Sequence, residues 1–171
     1  TGTQTVYDIP VLTDWSIETI KNELKANTPI FYILTNSRSL PQPQADDLAF
    51  TIGKNIRAAN QDFDKKIMVI SRGDSTLRGH FPSEVDRLQE GLNMIQGTTI
   101  LIPAFFEGGR YTVNDIHYVK QADQFVPAAQ TPYAQDSAFG YQNSDLKDWV
   151  AEKTAGKVEA ASVVSFSIEE L

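Results

Sequence analysis

No cysteine occurs among the 171 residues, which excludes a disulfide framework, a thiolate metal site and cysteine redox chemistry and suits a reducing compartment. No apolar run approaches the roughly eighteen residues of a membrane span, and no charged-then-apolar amino terminus marks a secretory signal. The expected location is the cytoplasm. Basic residues are in deficit, 15 against 22 acidic ones, for a formal net charge of −7. Such a surface repels nucleic acid and anionic membranes at long range, so any anionic ligand must be met by a local positive pocket. Two phosphate-binding signatures are missing as well: no Gly-x-x-x-x-Gly-Lys-Ser/Thr loop and no Gly-x-Gly-x-x-Gly opening a helix.

What remains has the composition of one ordinary globular domain, 41% hydrophobic and 22% charged. Apolar runs of strand length, at 9–13, 30–35, 66–71, 98–103 and 161–166, alternate with segments of helical period. Ile17, Ile20 and Leu24 mark a first helix, and Leu48, Ile52, Ile56 and Ala59 a second. Val85, Leu88, Leu92 and Ile95 mark a third, with Pro82 at its start, and a fourth runs from about Ser144 to Thr154 with Gly156 as its stop. The alternation predicts an α/β fold: an open, mainly parallel sheet with crossover helices on both faces, a Rossmann-like three-layer arrangement. The stretch from Ala104 to Asn143 is irregular, with 117–119 as a short strand, and reads as a lobe or lid.

Three of the strand candidates run directly into polar clusters: "NSRS" (36–39), "RGDSTLRGH" (72–80) and "FFEGGRYT" (105–112). In an open parallel sheet the carboxyl ends of the strands share one edge, where ligands bind, so these clusters are expected to meet. Of six arginines, Arg38, Arg72, Arg78 and Arg110 lie in them. An acidic chain that gathers its guanidinium groups in one place points to a carboxylate or phosphate ligand held by bidentate donors.

Plainer readings stand beside these. Asp74 or Ser75 can cap a local turn, and "EGGR" (107–110) serves equally as a glycine turn or as backbone N–H donors beside Arg110. "RGD" (72–74) as an adhesion motif is a three-letter match at a strand end and is set aside. His80 and His117 lack metal-ligand spacing, so a structural or substrate hydrogen-bonding role is expected and no metal site is assigned. Tyr133, Trp149 and 139–141 read as packing of the lobe. The pairs Asp46-Asp47 and Glu169-Glu170 read as helix amino-terminal charges. Ser167 and Glu170 have capping-box spacing, which predicts a helix beginning there and a chain that is one part of a longer protein.

Together, "TGTQTV", "ILTNSRS", "DSTLRGH", "PAFFEGGRYTVNDIHYV" and "FGYQNSDLKDWVAEKTAG" resemble the sugar-binding amino-terminal domain of the four-carbon acid sugar kinases, over almost the whole chain. "DSTLRG" is the most specific of these blocks. The resemblance implies a two-domain enzyme that phosphorylates sugar acids such as erythronate, threonate or their 3-oxo forms with ATP and Mg²⁺. This chain, 1–171, would hold the acid, and a carboxyl-terminal domain outside it would hold the nucleotide. The chain alone would then bind without catalysing.

Carried over, the site comprises Ser37 and Arg38; Asp74, Ser75, Thr76, Arg78 and Gly79; and Gly108, Gly109 and Arg110. Asp74 is the catalytic candidate, orienting the acceptor hydroxyl, with the base equally able to come from the other domain. Two departures bear on which acid is taken. The family's Asp-Asp before the opening Thr-Gly is absent, and Lys-x-x-Asp-Ser-Thr-Leu-Arg-Gly-Asn is here Ser71-Arg72-Gly73-Asp74 through to His80. The implied partners are a small sugar acid and the nucleotide domain, with a homo-oligomer left open and neither nucleic acid nor membrane. The alternative is a non-catalytic sugar-acid or anion-binding module. A dinucleotide-linked dehydrogenase is disfavoured because no fingerprint follows the first strand.

Overall fold

The structure is a computed structural model that describes residues 6–94 and 97–167. These form two compact units. The first takes the described residues up to Ser71 and those from Pro82 to Thr99; the second takes Arg72–Phe81 and the described residues from Ile100 onward.

In the first unit, β1 (Val11–Leu12) and β2 (Tyr32–Ile33) pair in parallel, Val11 opposite Tyr32 and Leu12 opposite Ile33, across helix α1 (Ile17–Lys25). Ser16 caps α1 by accepting from the Thr19 N–H at 3.2 Å, and Ile20 and Leu24 bury its inner face. Helix α2 (Gln42–Asn60) presents Ile52, Ile56 and Ala59 to the same core, and α3 (Ser83–Leu92) adds Leu88 and Leu92. Helices α2 and α3 meet backbone to backbone. A Cβ at Gly53 would stand 2.6 Å from the Leu88 carbonyl oxygen, and one at Gly91 would meet that of Phe50. Pro43 sits in the first turn of α2, where its missing N–H costs nothing. The helix therefore starts early enough that Asp46 and Asp47 fall in its second turn and not at its amino terminus, contrary to the sequence reading.

The second unit holds an antiparallel meander, β3 (Arg110–Val113), β4 (Ile116–Gln121) and β5 (Gln124–Pro127), followed by helix α4 (Leu146–Lys153). Asp145 caps α4 by accepting from the Lys147 N–H at 2.9 Å. Gly156, at φ +77°, closes it with a bond to the Ala151 carbonyl. Val119, Tyr141, Trp149 and Val150 form the core with Leu77, and Phe81 stacks on Trp149 at 4.9 Å.

The expected open parallel sheet is not what forms: among the described residues the parallel pairing is confined to β1 and β2. The runs 66–71, 98–103 and 161–166 make no ladder, and 160–162 is a 3-10 turn. The physical reason is visible at 66–71. Ile67 and Val69 pack onto the first core while Met68 and Ile70 are 86% and 75% exposed, so the run is one-sided rather than buried on both faces. The lobe expected from Ala104 to Asn143 is more regular than its composition suggests. It contains the meander, whose first hairpin turns through Asn114 and Asp115, both at positive φ. Ile95, Glu169 and Glu170 lie outside the described residues. No helix among the described residues is long and apolar enough to cross a membrane.

Candidate functional site

The loop that follows 66–71 turns on an unusual residue. Leu77 adopts φ +65°, which a side chain with a Cβ resists, yet it is 6% exposed and packed in the second core. Burial holds the strained backbone, and Asp74, Thr76 and Arg78 converge around it. The Asp74 carboxylate accepts from the Thr76 backbone N–H at 3.2 Å, from the Thr76 hydroxyl, and from Arg78 Nε at 2.9 Å. Thr76 is buried, and its oxygen also lies 3.0 Å from Arg78 Nε. These donors fix the orientation of the Asp74 carboxylate beside Arg78. Gly79 follows at φ +155°, with open space where a Cβ would stand.

Arg78 reaches further. Its Nη1 lies 3.5 Å from Asp136 Oδ2, and its guanidinium stands 5.1 Å from the ring centre of Tyr133. Burial works against the charge of Arg78, but the bond to Asp74 and the charges of Asp74 and Asp136 outweigh it and raise its pKa. Asp136 is held below the ordinary carboxylate range, first by the N–H of Ala138 and then by that of Phe139, each at 3.0 Å, with Arg78 contributing.

Arg110 comes to the same ring. Its guanidinium lies 5.7 Å from the Tyr133 centroid, with Nη2 3.3 Å from the Tyr133 hydroxyl and Nη1 donating to the Gly108 carbonyl. Its buried Nε has no hydrogen-bond partner among the described residues. The two glycines before it have packing reasons: a Cβ at Gly108 would enter the Phe105 ring, and Gly109, at φ +74°, lies against Lys120. They close the turn that delivers Arg110 to β3.

Two of the three polar clusters are thus brought together within the second unit. Ser37 and Arg38 lie in the first unit, in a 3-10 turn at 37–39, where the Ser37 hydroxyl donates to Glu84 Oε1 at 2.7 Å. Of the residues singled out in the sequence, Asp74, Thr76, Arg78 and Arg110 are brought near one another. Sequence reasoning placed Tyr133 in the packing, where part of it does lie, but missed its place between two guanidinium groups, and it missed Asp136 entirely. His117 is fully buried between Thr112 and Ser75, and His80 packs edge-on against Phe139 at 4.8 Å. Among the described residues no three His, Cys, Asp or Glu side chains gather as metal ligands.

A comparison with curated protein sequences finds no match. The family model described as "Sugar-binding N-terminal domain" matches residues 1–170. With that match over nearly its whole length, the chain belongs to the sugar-binding amino-terminal domains of the four-carbon acid sugar kinase family.

Proposed function

We propose that this domain holds a four-carbon sugar acid for phosphorylation, with the carboxylate of the acid set against Arg78 and Arg110. One observation carries this: in an acidic chain, two guanidinium groups meet on the ring of Tyr133, within a sugar-binding domain. The buried Arg110 Nε, without an acceptor of its own, adds a donor that an anion would satisfy. Asp74 and Asp136 offer acceptors for sugar hydroxyls, and Asp74 would orient the hydroxyl that is phosphorylated. Kinase chemistry depends chiefly on positioning and charge compensation, which is the work these side chains can do. ATP, with Mg²⁺, would supply the phosphoryl group from a carboxyl-terminal nucleotide domain, in the cytoplasm.

Calorimetric titration with D-erythronate, L-threonate, their 3-oxo analogues and ATP tests it, repeated on Arg78→Ala, Arg110→Ala and Asp74→Asn. One acid should bind saturably, ATP should not, and each arginine loss should weaken binding by roughly 10- to 100-fold, as losing a charge-assisted hydrogen bond does. Tight ATP binding with no response to any acid would overturn the assignment. A domain that binds the acid but yields no phosphorylated acid when the full-length protein receives ATP and Mg²⁺ would be a non-catalytic binding module.

A further inference from the structure

The geometry points to His117 and Tyr141 as positioning residues that hold the 74–78 loop from its core side. The inference builds on the ligand-site reading of that loop. His117 Nε2 lies 2.8 Å from the Ser75 carbonyl oxygen, and the Tyr141 hydroxyl donates to the Thr76 carbonyl oxygen at 2.9 Å. Both side chains are buried, at 0% and 4% exposure. Because a backbone carbonyl can only accept, the His117 proton must sit on Nε2; Nδ1 faces the Thr112 hydroxyl 3.0 Å away, which also lies 2.9 Å from its acceptor, the Pro103 carbonyl. The tautomer is dictated by the loop it supports.

Peptide planarity turns this support into aim. Across a trans peptide the carbonyl and the following N–H point in opposite directions. With the Ser75 carbonyl drawn to His117, the Thr76 N–H is turned away, and it meets Asp74 Oδ2 at 3.2 Å. With the Thr76 carbonyl drawn to Tyr141, the Leu77 N–H is turned away likewise and bonds to the Asp74 carbonyl at 3.1 Å. Two buried donors thereby aim two N–H groups at Asp74, which in turn holds Arg78 Nε. They account for the left-handed Leu77 as well, since the two carbonyl anchors and the buried side chain fix that residue from three sides. Neither His117 nor Tyr141 touches ligand in this scheme; both act through the loop.

Amide hydrogen exchange at Thr76 and Leu77 tests this in the 171-residue chain, alongside titration with D-erythronate and L-threonate. The variants are His117→Leu, His117→Gln and Tyr141→Phe, with Ile56→Ala as a control in the separate core of the first unit. Glutamine can place an amide donor where Nε2 stands. His117→Leu and Tyr141→Phe should speed exchange at the two amides by about tenfold, the effect of one lost buried hydrogen bond, and His117→Gln should restore the wild-type rate. Acid binding should weaken in the same order. Ile56→Ala should lower the melting temperature while leaving loop exchange and binding unchanged. In the wild type, nitrogen shifts should report a protonated Nε2 on His117. Unchanged loop exchange in His117→Leu, equal acceleration in Ile56→Ala, or an Nε2 without a proton would overturn the inference. If the wild type binds no sugar acid, the ligand reading fails, and the exchange rates still decide the positioning role.

Discussion

Asp136 stands beside Arg78 from 58 positions further along the chain, its Oδ2 3.5 Å from Nη1, while Asp74 takes Nε of the same guanidinium at 2.9 Å. One planar fork therefore bridges two carboxylates, a task for which arginine has the geometry and lysine does not. Arg78→Lys should accordingly weaken sugar-acid binding nearly as much as Arg78→Ala, by roughly 10-fold or more, although the charge is kept. Calorimetric titration of the two variants side by side decides this. Wild-type affinity in the lysine variant would show that charge alone is being used.

Tyr133 offers the two arginines a ring and offers Arg110 a hydroxyl. Tyr133→Phe keeps the ring and should cost binding only about threefold, whereas Tyr133→Leu removes both and should cost about tenfold, within the usual range of cation–π contacts. Equal losses in the two variants would place the effect in the hydroxyl and not in the ring.

His117 is pushed below its ordinary pKa of 6.5 by burial, which outweighs the bond to Ser75, and the positive charge of Arg110 acts in the same direction as burial. The unfolded chain then takes up the proton first as pH falls. The stabilisation from a neutral His117 is complete above pH 6.5 and is lost as pH drops from there toward the lower folded-state value. Urea midpoints of wild type and His117→Gln between about pH 7.5 and 5 should therefore converge toward acid as the histidine contribution fades. A difference independent of pH would show that the ring does not titrate on unfolding.

Burial pushes the Tyr141 hydroxyl up to about 12. Its folded-state pKa lies above the ordinary value of 10, so its contribution is full below pH 10 and is lost as pH rises toward 12. Ultraviolet titration should show one phenol that ionises late, and Tyr141→Phe should remove that step and no other.

Gly53 and Gly91 leave no room for a methyl group between α2 and α3. Either alanine substitution must move a helix backbone and should destabilise the chain by about 1–3 kcal/mol, as overpacking does, measured as a lower urea midpoint. An unchanged midpoint would show that the crossing yields easily.

The helices were legible in the sequence because helical period is a local signal: Ile17, Ile20 and Leu24, or Ile52, Ile56 and Ala59, define a face without reference to anything distant. The sheet was not. An apolar run such as 66–71 states that some side chains are buried, but whether its backbone finds a ladder depends on partners far away in sequence. The meander did carry a signal that went unused, since Asn114-Asp115 separates the alternating segments "RYTV" and "IHYVK" at hairpin spacing. Its second turn, at Ala122-Asp123, has no such chemistry. In the site, Asp74, Thr76 and Arg78 were legible because they contact one another within four residues. Tyr133, Asp136 and Tyr141 join that loop across some 55 to 65 positions, and their spacing carries no trace of it.

The second unit draws ten residues, Arg72–Phe81, from the middle of the first. Neither unit can be produced by trimming one end of the chain, because a cut after Thr99 would remove Tyr133, Asp136 and Tyr141 and leave behind the loop they serve. The same discontinuity constrains heredity: recombination that exchanged the carboxyl-terminal half between two relatives would pair one parent's Asp74 and Arg78 with the other parent's supports. Changes at the two places are therefore tied, and divergence in ligand preference would have to proceed by compensated steps on both sides of that junction.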